Sequence, residues 1–150
     1  MIKKVLFLCV ENSCRSQMAE GLARHIAKGK LEAYSAGSRP SGKVHTDAIK
    51  VMGEMDIDIS RNQSKGFQDL PTQKFDYVIS MGCQDRCPFI PAKENLDWSI
   101  EDPKGKDLEF FRKTRDQIKS KIEELIMDLS HRQKTPSVKT GSSGRDSAQT

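Results

Sequence analysis

A chain of 150 residues has room for one domain with a real core and not for two. It is 35% hydrophobic and 31% charged, and no apolar run approaches the ~18–20 residues of a membrane span, which excludes a spanning helix. The net charge is +4, with much of the surplus in the last third and no interleaved aromatics, so a solvated helix face is favoured over a nucleic-acid groove.

The N-terminal segment MIKKVLFLCVEN has two lysines and a short apolar run, but no small-residue cleavage site follows and it does not read as a secretory signal. A cytoplasmic location is therefore expected. There, the four cysteines read as catalytic, redox or metal-binding thiols before structural disulfides. Lys4 to Leu8 (KVLFL) predicts a strand buried on both faces. From Ser16 to Lys28, Met18, Leu22 and Ile26 recur with Ala19, Ala23 and Ala27 beside them, which predicts a helix with one apolar face, ended by Gly29. Leu31 to Ser38 reads as a second strand. Thr46 is expected to N-cap a helix carrying Ile49, Met52 and Met55 on one side. Phe75 to Met81 (FDYVISM) predicts a third strand and Asn95 to Ile100 a short fourth one. From Asp107 to about His131, Leu108, Phe111, Ile118, Ile122, Leu125, Ile126 and Leu129 keep helical spacing.

Strands alternating with helices predict an α/β fold: one domain over residues 1–132, a three-layer sandwich with a four-stranded parallel sheet flanked by helices. Residues 133–150 hold one large apolar side chain, Val138, among many Ser, Thr and Gly, and are expected to form a flexible tail.

In an open parallel sheet, ligands bind where strands end and helices begin. The stretch CVENSCRSQMAEG, Cys9 to Gly21, lies at such a junction. The backbone N–H groups of the loop through Glu11, Asn12, Ser13 and Cys14 can converge with the helix N-terminus on one tetrahedral oxyanion. Arg15 can grip two of its oxygens. The same positive field favours a thiolate at Cys9, to which Ser16 can donate a hydrogen bond. Asn12 suits a position needing left-handed dihedrals. The spacing Cys-x5-Arg-Ser thus sets a nucleophile below an anion cradle, as covalent catalysis on an oxyanion requires. The competing reading is a buried cysteine beside a surface arginine. Cys14 is expected to be a buried apolar thiol. Zinc would need Cys9 and Cys14 to join Cys83 and Cys87, at the expense of the anion loop, and His25, His45 and His131 form no ligand pattern. No metal and no cofactor are expected.

CVENSCRS closely resembles the phosphate-binding loop of the low-molecular-weight protein tyrosine phosphatases and of their relatives, the thioredoxin-coupled arsenate reductases. The resemblance runs from Met1 to about His131, with CRSQMAEG, YSAG at Tyr34–Gly37 and Asp102-Pro103 in the expected order. It implies the low-molecular-weight phosphatase fold and a general-acid role for Asp102, although Asp-Pro is also a common turn dipeptide. Glu11 departs from the glycine usual in the phosphatases and is expected to point to solvent. The segment MGCQDRCPFIP bears Cys83 and Cys87 after a strand expected beside the first. For a reductase the family implies a relay in which Cys9 attacks arsenate, Cys83 attacks Cys9, and Cys87 attacks Cys83. Two thiols becoming a disulfide supply the two electrons. Arsenate is then the substrate, phosphate or sulfate a competing anion, and thioredoxin the partner, with a glutathione and glutaredoxin route left open. Nucleic acid and membrane are not expected partners, and a monomer is expected. A phosphatase acting on phosphotyrosine or small phosphate esters is the main alternative, and a non-catalytic redox sensor a third. Asn12, Glu20 and Ser35 further resemble positions around a monovalent-cation site in some of these reductases. Here Lys65 falls where an acidic ligand would be wanted, and its ammonium is expected to pair with Glu20.

Overall fold

The computed structural model describes residues 2–82 and 89–134, the last four as backbone alone. Four strands, β1 (Lys3–Cys9), β2 (Leu31–Gly37), β3 (Phe75–Ser80) and β4 (Ala92–Asp97), form one parallel sheet in the order β2-β1-β3-β4. Three helices, α1 (Arg15–Ile26), α2 (Thr46–Gly53) and α3 (Leu108–Lys134), follow β1, β2 and β4 respectively.

Alternation along β1 divides the core. Val5, Phe7 and Cys9 face a large cluster that includes Met18 and Leu22 of α1, Val51 and Met52 of α2, and Phe111, Ile118 and Ile122 of α3. Leu6 and Leu8 face a smaller cluster with Leu70, Phe75, Val78 and Ile90, next to a short 3₁₀ helix, Phe67–Asp69. Val5, Leu6 and Phe7 are fully buried, which explains why KVLFL is apolar throughout. Each large core side chain so enclosed contributes about 1.5–3 kcal/mol.

Most boundaries fall within one to three residues of those the sequence suggests, and the differences at α2 and β4 have physical causes. Thr46 is the first helical residue of α2, and His45 is the N-cap, its Nδ1 accepting the Asp47 N–H at 3.1 Å. Imidazole does here what the Thr hydroxyl was expected to do. Met55 falls beyond the end of α2 yet still packs against the core. The fourth strand runs Ala92–Asp97, three residues earlier than Asn95–Ile100. Its charged Lys93 and Glu94 are tolerated because β4 is the sheet edge. Trp98 and Ile100, which suggested the later span, are buried in the connection after the strand. The expected tail lies beyond the described residues except for its first two positions, Gln133 and Lys134, which continue α3.

The strand order reverses at β1: the chain winds to β2 on one side and returns to β3 on the other. The crevice at the carboxyl ends of β1 and β3 is therefore the topological switch point, where open α/β sheets bind ligands.

Candidate active site: the loop between β1 and α1

Cys9 closes β1, and α1 begins six residues later at Arg15. Between them the loop is held from outside by its carbonyls. Ser38 N–H donates to Cys9 O (3.3 Å), Arg39 N–H to Val10 O (2.7 Å), Ser41 N–H to Glu11 O (3.1 Å) and His45 N–H to Ser13 O (3.0 Å). Ser64 Oγ adds a second bond to Glu11 O at 2.7 Å. Each trans peptide places its N–H opposite its carbonyl, and there are no cis bonds among the described residues. The N–H groups of Val10, Glu11, Asn12 and Cys14 therefore face away from those partners, toward the concave side. With the N-terminus of α1 they form a cradle suited to an oxyanion.

Asn12 makes the turn possible. Its φ is 52°, in the left-handed region, and its side chain is fully buried. Its Oδ1 accepts the Lys65 N–H and Gln17 Nε2, both at 2.9 Å, and its Nδ2 donates to Ser16 Oγ at 2.7 Å. Ser16 Oγ lies 2.8 Å from Cys9 Sγ. Since Ser16 accepts from Asn12, its single hydroxyl hydrogen is free to point at Cys9, as a thiolate requires.

Arg15 is buried and oriented by backbone. Its Nη1 donates to the carbonyls of Met81 and Ile100, the latter at 2.9 Å. Its Nη2 is 3.7 Å from Asp102 Oδ2. Gly82 has φ 83°, and a Cβ there would stand 2.9 Å from Ile100 O and 3.0 Å from Arg15 Nη1, so glycine is needed to seat the guanidinium. Gly37 is required by a similar close approach, since a Cβ there would be 2.5 Å from Val10 O and 2.8 Å from Asn12 N. Asp102 also accepts the Lys104 N–H at 3.1 Å, and its side chain is half exposed at the mouth. A cavity of about 460 Å³ opens between the loop and the Asp102 segment, lined in part by Val10, Glu11, Arg15, Gly82 and Asp102.

The structure thus brings together Cys9, Asn12, Arg15, Ser16 and Asp102, with Ser13 on the loop. Cys14 is turned into the core, where burial pushes its thiol up to about 12. It contributes backbone to the cradle and no nucleophile. Glu11 does not project freely into solvent: Lys104 Nζ holds both its carboxylate oxygens, at 2.8 and 2.9 Å, and Glu11 in turn raises the affinity of that ammonium for its proton. Lys65 Nζ lies 3.6 Å from the buried carboxylate of Glu20 and 3.4 Å from Ser35 Oγ, and Ser35 also donates to Glu20. The expected ammonium-carboxylate pairing is present. Cys83 and Cys87 lie outside the described residues. Among those residues no group of three or more His, Cys, Asp or Glu could hold a metal ion, and no helix is long and apolar enough to cross a membrane.

Gln17, Gly82 and Lys104 did not stand out in the sequence. Gln17 is fully buried, and its amide ties Asn12 to Gln63 O at 2.9 Å, contacts that span 46 positions in the chain. A glycine two residues after β3 is the one visible signal for Gly82.

Comparison with known proteins agrees with this geometry. Residues 4–135 match the family model of low molecular weight phosphotyrosine protein phosphatase. The chain is 42% identical over 132 residues to a glutaredoxin arsenate reductase of Synechocystis, covering 86% of this chain and all of that one. A solved arsenate reductase in a phosphate-binding state superposes with a TM-score of 0.77 at 41% identity, over 85% of this chain and 99% of that one. A thioredoxin-dependent arsenate reductase of Corynebacterium glutamicum superposes with a TM-score of 0.71 at 34% identity, over 87% of this chain and 63% of that one. The fold, the loop from Cys9 to Ser16 and these similarities together place the chain in the low molecular weight phosphotyrosine protein phosphatase family, with arsenate reductases among its relatives.

Proposed function

We propose that this protein reduces arsenate to arsenite through Cys9, Cys83 and Cys87, and that a disulfide reductase of the thioredoxin type restores the thiols. The observation that carries the reading is the meeting at one sheet edge of Cys9, held by Ser16 in an outward-pinned loop, and the end of β3. Cys83 directly follows Gly82, whose missing side chain leaves room for Arg15.

In this mechanism Glu11, Asn12, Ser13, Cys14 and Ser16 supply the loop that holds the oxyanion, and Arg15 grips its oxygens. Cys9 Sγ attacks arsenic, an S–As bond forms, and one oxygen leaves as water on taking a proton from Asp102. The Cys83 thiolate then attacks Cys9 Sγ. An S–S bond forms, the S–As bond breaks, and its electron pair stays on arsenic, which departs as arsenite. Cys87 attacks Cys83, frees Cys9 and leaves a Cys83–Cys87 disulfide for the external dithiol. Phosphate and sulfate fit the same loop and cannot be reduced by thiols, so they compete.

The names of the relatives divide over the reductant, glutaredoxin for one and thioredoxin for another. The assay is arsenate-dependent NADPH oxidation, coupled either to thioredoxin and its reductase or to glutathione, glutaredoxin and glutathione reductase. Steady turnover with thioredoxin, reduced to a single turnover by Cys87→Ser, is the expected result. Turnover only with glutaredoxin would overturn the choice of partner. A phosphatase is the second reading, favoured by Asp102 beside Arg15, where it can equally serve an ester leaving group. Hydrolysis of an aryl phosphate without any arsenate-dependent NADPH consumption would establish it and overturn the reductase.

A further inference from the structure

The ion pair between Glu11 and Lys104 joins the oxyanion loop to the segment carrying Asp102, 93 positions apart in the chain. The contacts close a ring. Glu11 holds Lys104 through both carboxylate oxygens, at 2.8 and 2.9 Å. The Lys104 N–H holds Asp102 Oδ1 at 3.1 Å. Asp102 Oδ2 faces Arg15 Nη2 at 3.7 Å, and Arg15 returns through the loop to Glu11. Glu11, Arg15 and Asp102 all line the cavity above the loop. A free tetrahedral oxyanion needs only the cradle. The organic group of an ester would extend from the cradle into that cavity, along the wall where Glu11 and Asp102 stand.

We propose that Glu11 and Lys104 form a specificity latch that favours free inorganic oxyanions over organic esters. This rests on the reading that the loop binds an oxyanion. The pair has a second consequence. An unpaired Glu11 would repel an incoming dianion, and Lys104 cancels that charge while also bracing Asp102. The ring's weakest link is the exposed pair itself, so an ester enters by breaking it at modest cost. Exposed pairs of this kind imply a discrimination of about two- to fivefold, lost when either partner is neutralised.

The test is calorimetric binding of inorganic phosphate and of phenylphosphonate, whose C–P bond cannot be hydrolysed. The proteins are wild type, Glu11→Gln, Lys104→Met and the double charge reversal Glu11→Lys with Lys104→Glu. Glu11→Gln leaves an unpaired ammonium and should tighten inorganic phosphate, while Lys104→Met leaves an unpaired carboxylate and should weaken it. A change in field alone would shift both ligands alike. The latch instead predicts that the phosphonate gains on phosphate by about two- to fivefold in both single variants. The charge reversal should restore the wild-type ratio. An unchanged ratio in either single variant, or no restoration by the reversal, overturns the proposal. So does a wild type that binds neither anion. The ratio does not depend on reduction, so absence of arsenate turnover bears on the proposed function and not on the latch.

Discussion

Ser16→Ala tests the core of the proposed chemistry. Ser16 is fully buried, its Oγ accepting from Asn12 Nδ2 at 2.7 Å and standing 2.8 Å from Cys9 Sγ. A hydrogen bond to a charged group is worth about 1.5–3 kcal/mol, roughly twice a neutral one. Removing the hydroxyl takes that bond from the Cys9 thiolate but leaves the thiol form little affected. At 1.36 kcal/mol per tenfold, reactions that need the thiolate should slow by about 10- to 150-fold. The truncation also leaves Asn12 Nδ2 buried without its acceptor, a cost of about 1–3 kcal/mol in stability. The assay is the rate of iodoacetamide modification of Cys9, taken on the acidic limb where the rate still rises with pH, followed by mass spectrometry of the Cys9 peptide with and without phosphate. Chemical denaturation of the same samples reads the stability change separately. Asn12→Ala keeps the Ser16 donor and should slow Cys9 less than Ser16→Ala does. A folded Ser16→Ala protein whose Cys9 is modified within about twofold of the wild-type rate would refute the donor role, since even a neutral hydrogen bond is worth more than that.

Gly37→Ala places a Cβ 2.5 Å from Val10 O and 2.8 Å from Asn12 N, both backbone atoms, so the loop must move. Phosphate affinity should fall by about tenfold or more and stability by about 1–3 kcal/mol, as calorimetry and denaturation would record. Lys65 fills the space beside Glu20 and Ser35, so turnover should not respond to potassium at constant ionic strength; potassium activation of the wild type would refute this. The Cys14 thiol is raised by burial from 9.0 to about 12, so its contribution to stability is complete below pH 9 and is lost as pH rises toward 12. Relative to Cys14→Ala, wild-type stability measured by denaturation should fall over that window, with a limiting slope of about 1.4 kcal/mol per pH unit.

The element order and the candidate loop are legible in the sequence because they depend on local periodicity and spacing. KVLFL marks a strand buried on both faces, and Asn12 marks the left-handed position that lets the loop reverse. Cys9, Arg15 and Ser16 lie within eight consecutive positions, so the loop's geometry follows from its own residues once β1 and α1 flank it. The start of β4 was misplaced because Lys93 and Glu94 resemble a loop until the strand is known to be an edge. His45, not Thr46, is the N-cap, and its ring also lies 5.0 Å from that of Phe111 of α3, a contact no local pattern records. Glu11 looked free because its partner, Lys104, is 93 positions away.

By itself the sequence determined the α/β alternation, the candidate nucleophile and anion loop and the family these imply, since each is written in contiguous residues. Only the tertiary structure decided that Arg15 is held by the carbonyls of Met81 and Ile100, that Gly82 is needed beside it, and that Glu11 is tied to Lys104. Those contacts join segments that only the parallel ladder of β1 with β3 and the turn after β4 bring to one edge, so chain order carries no signal for them.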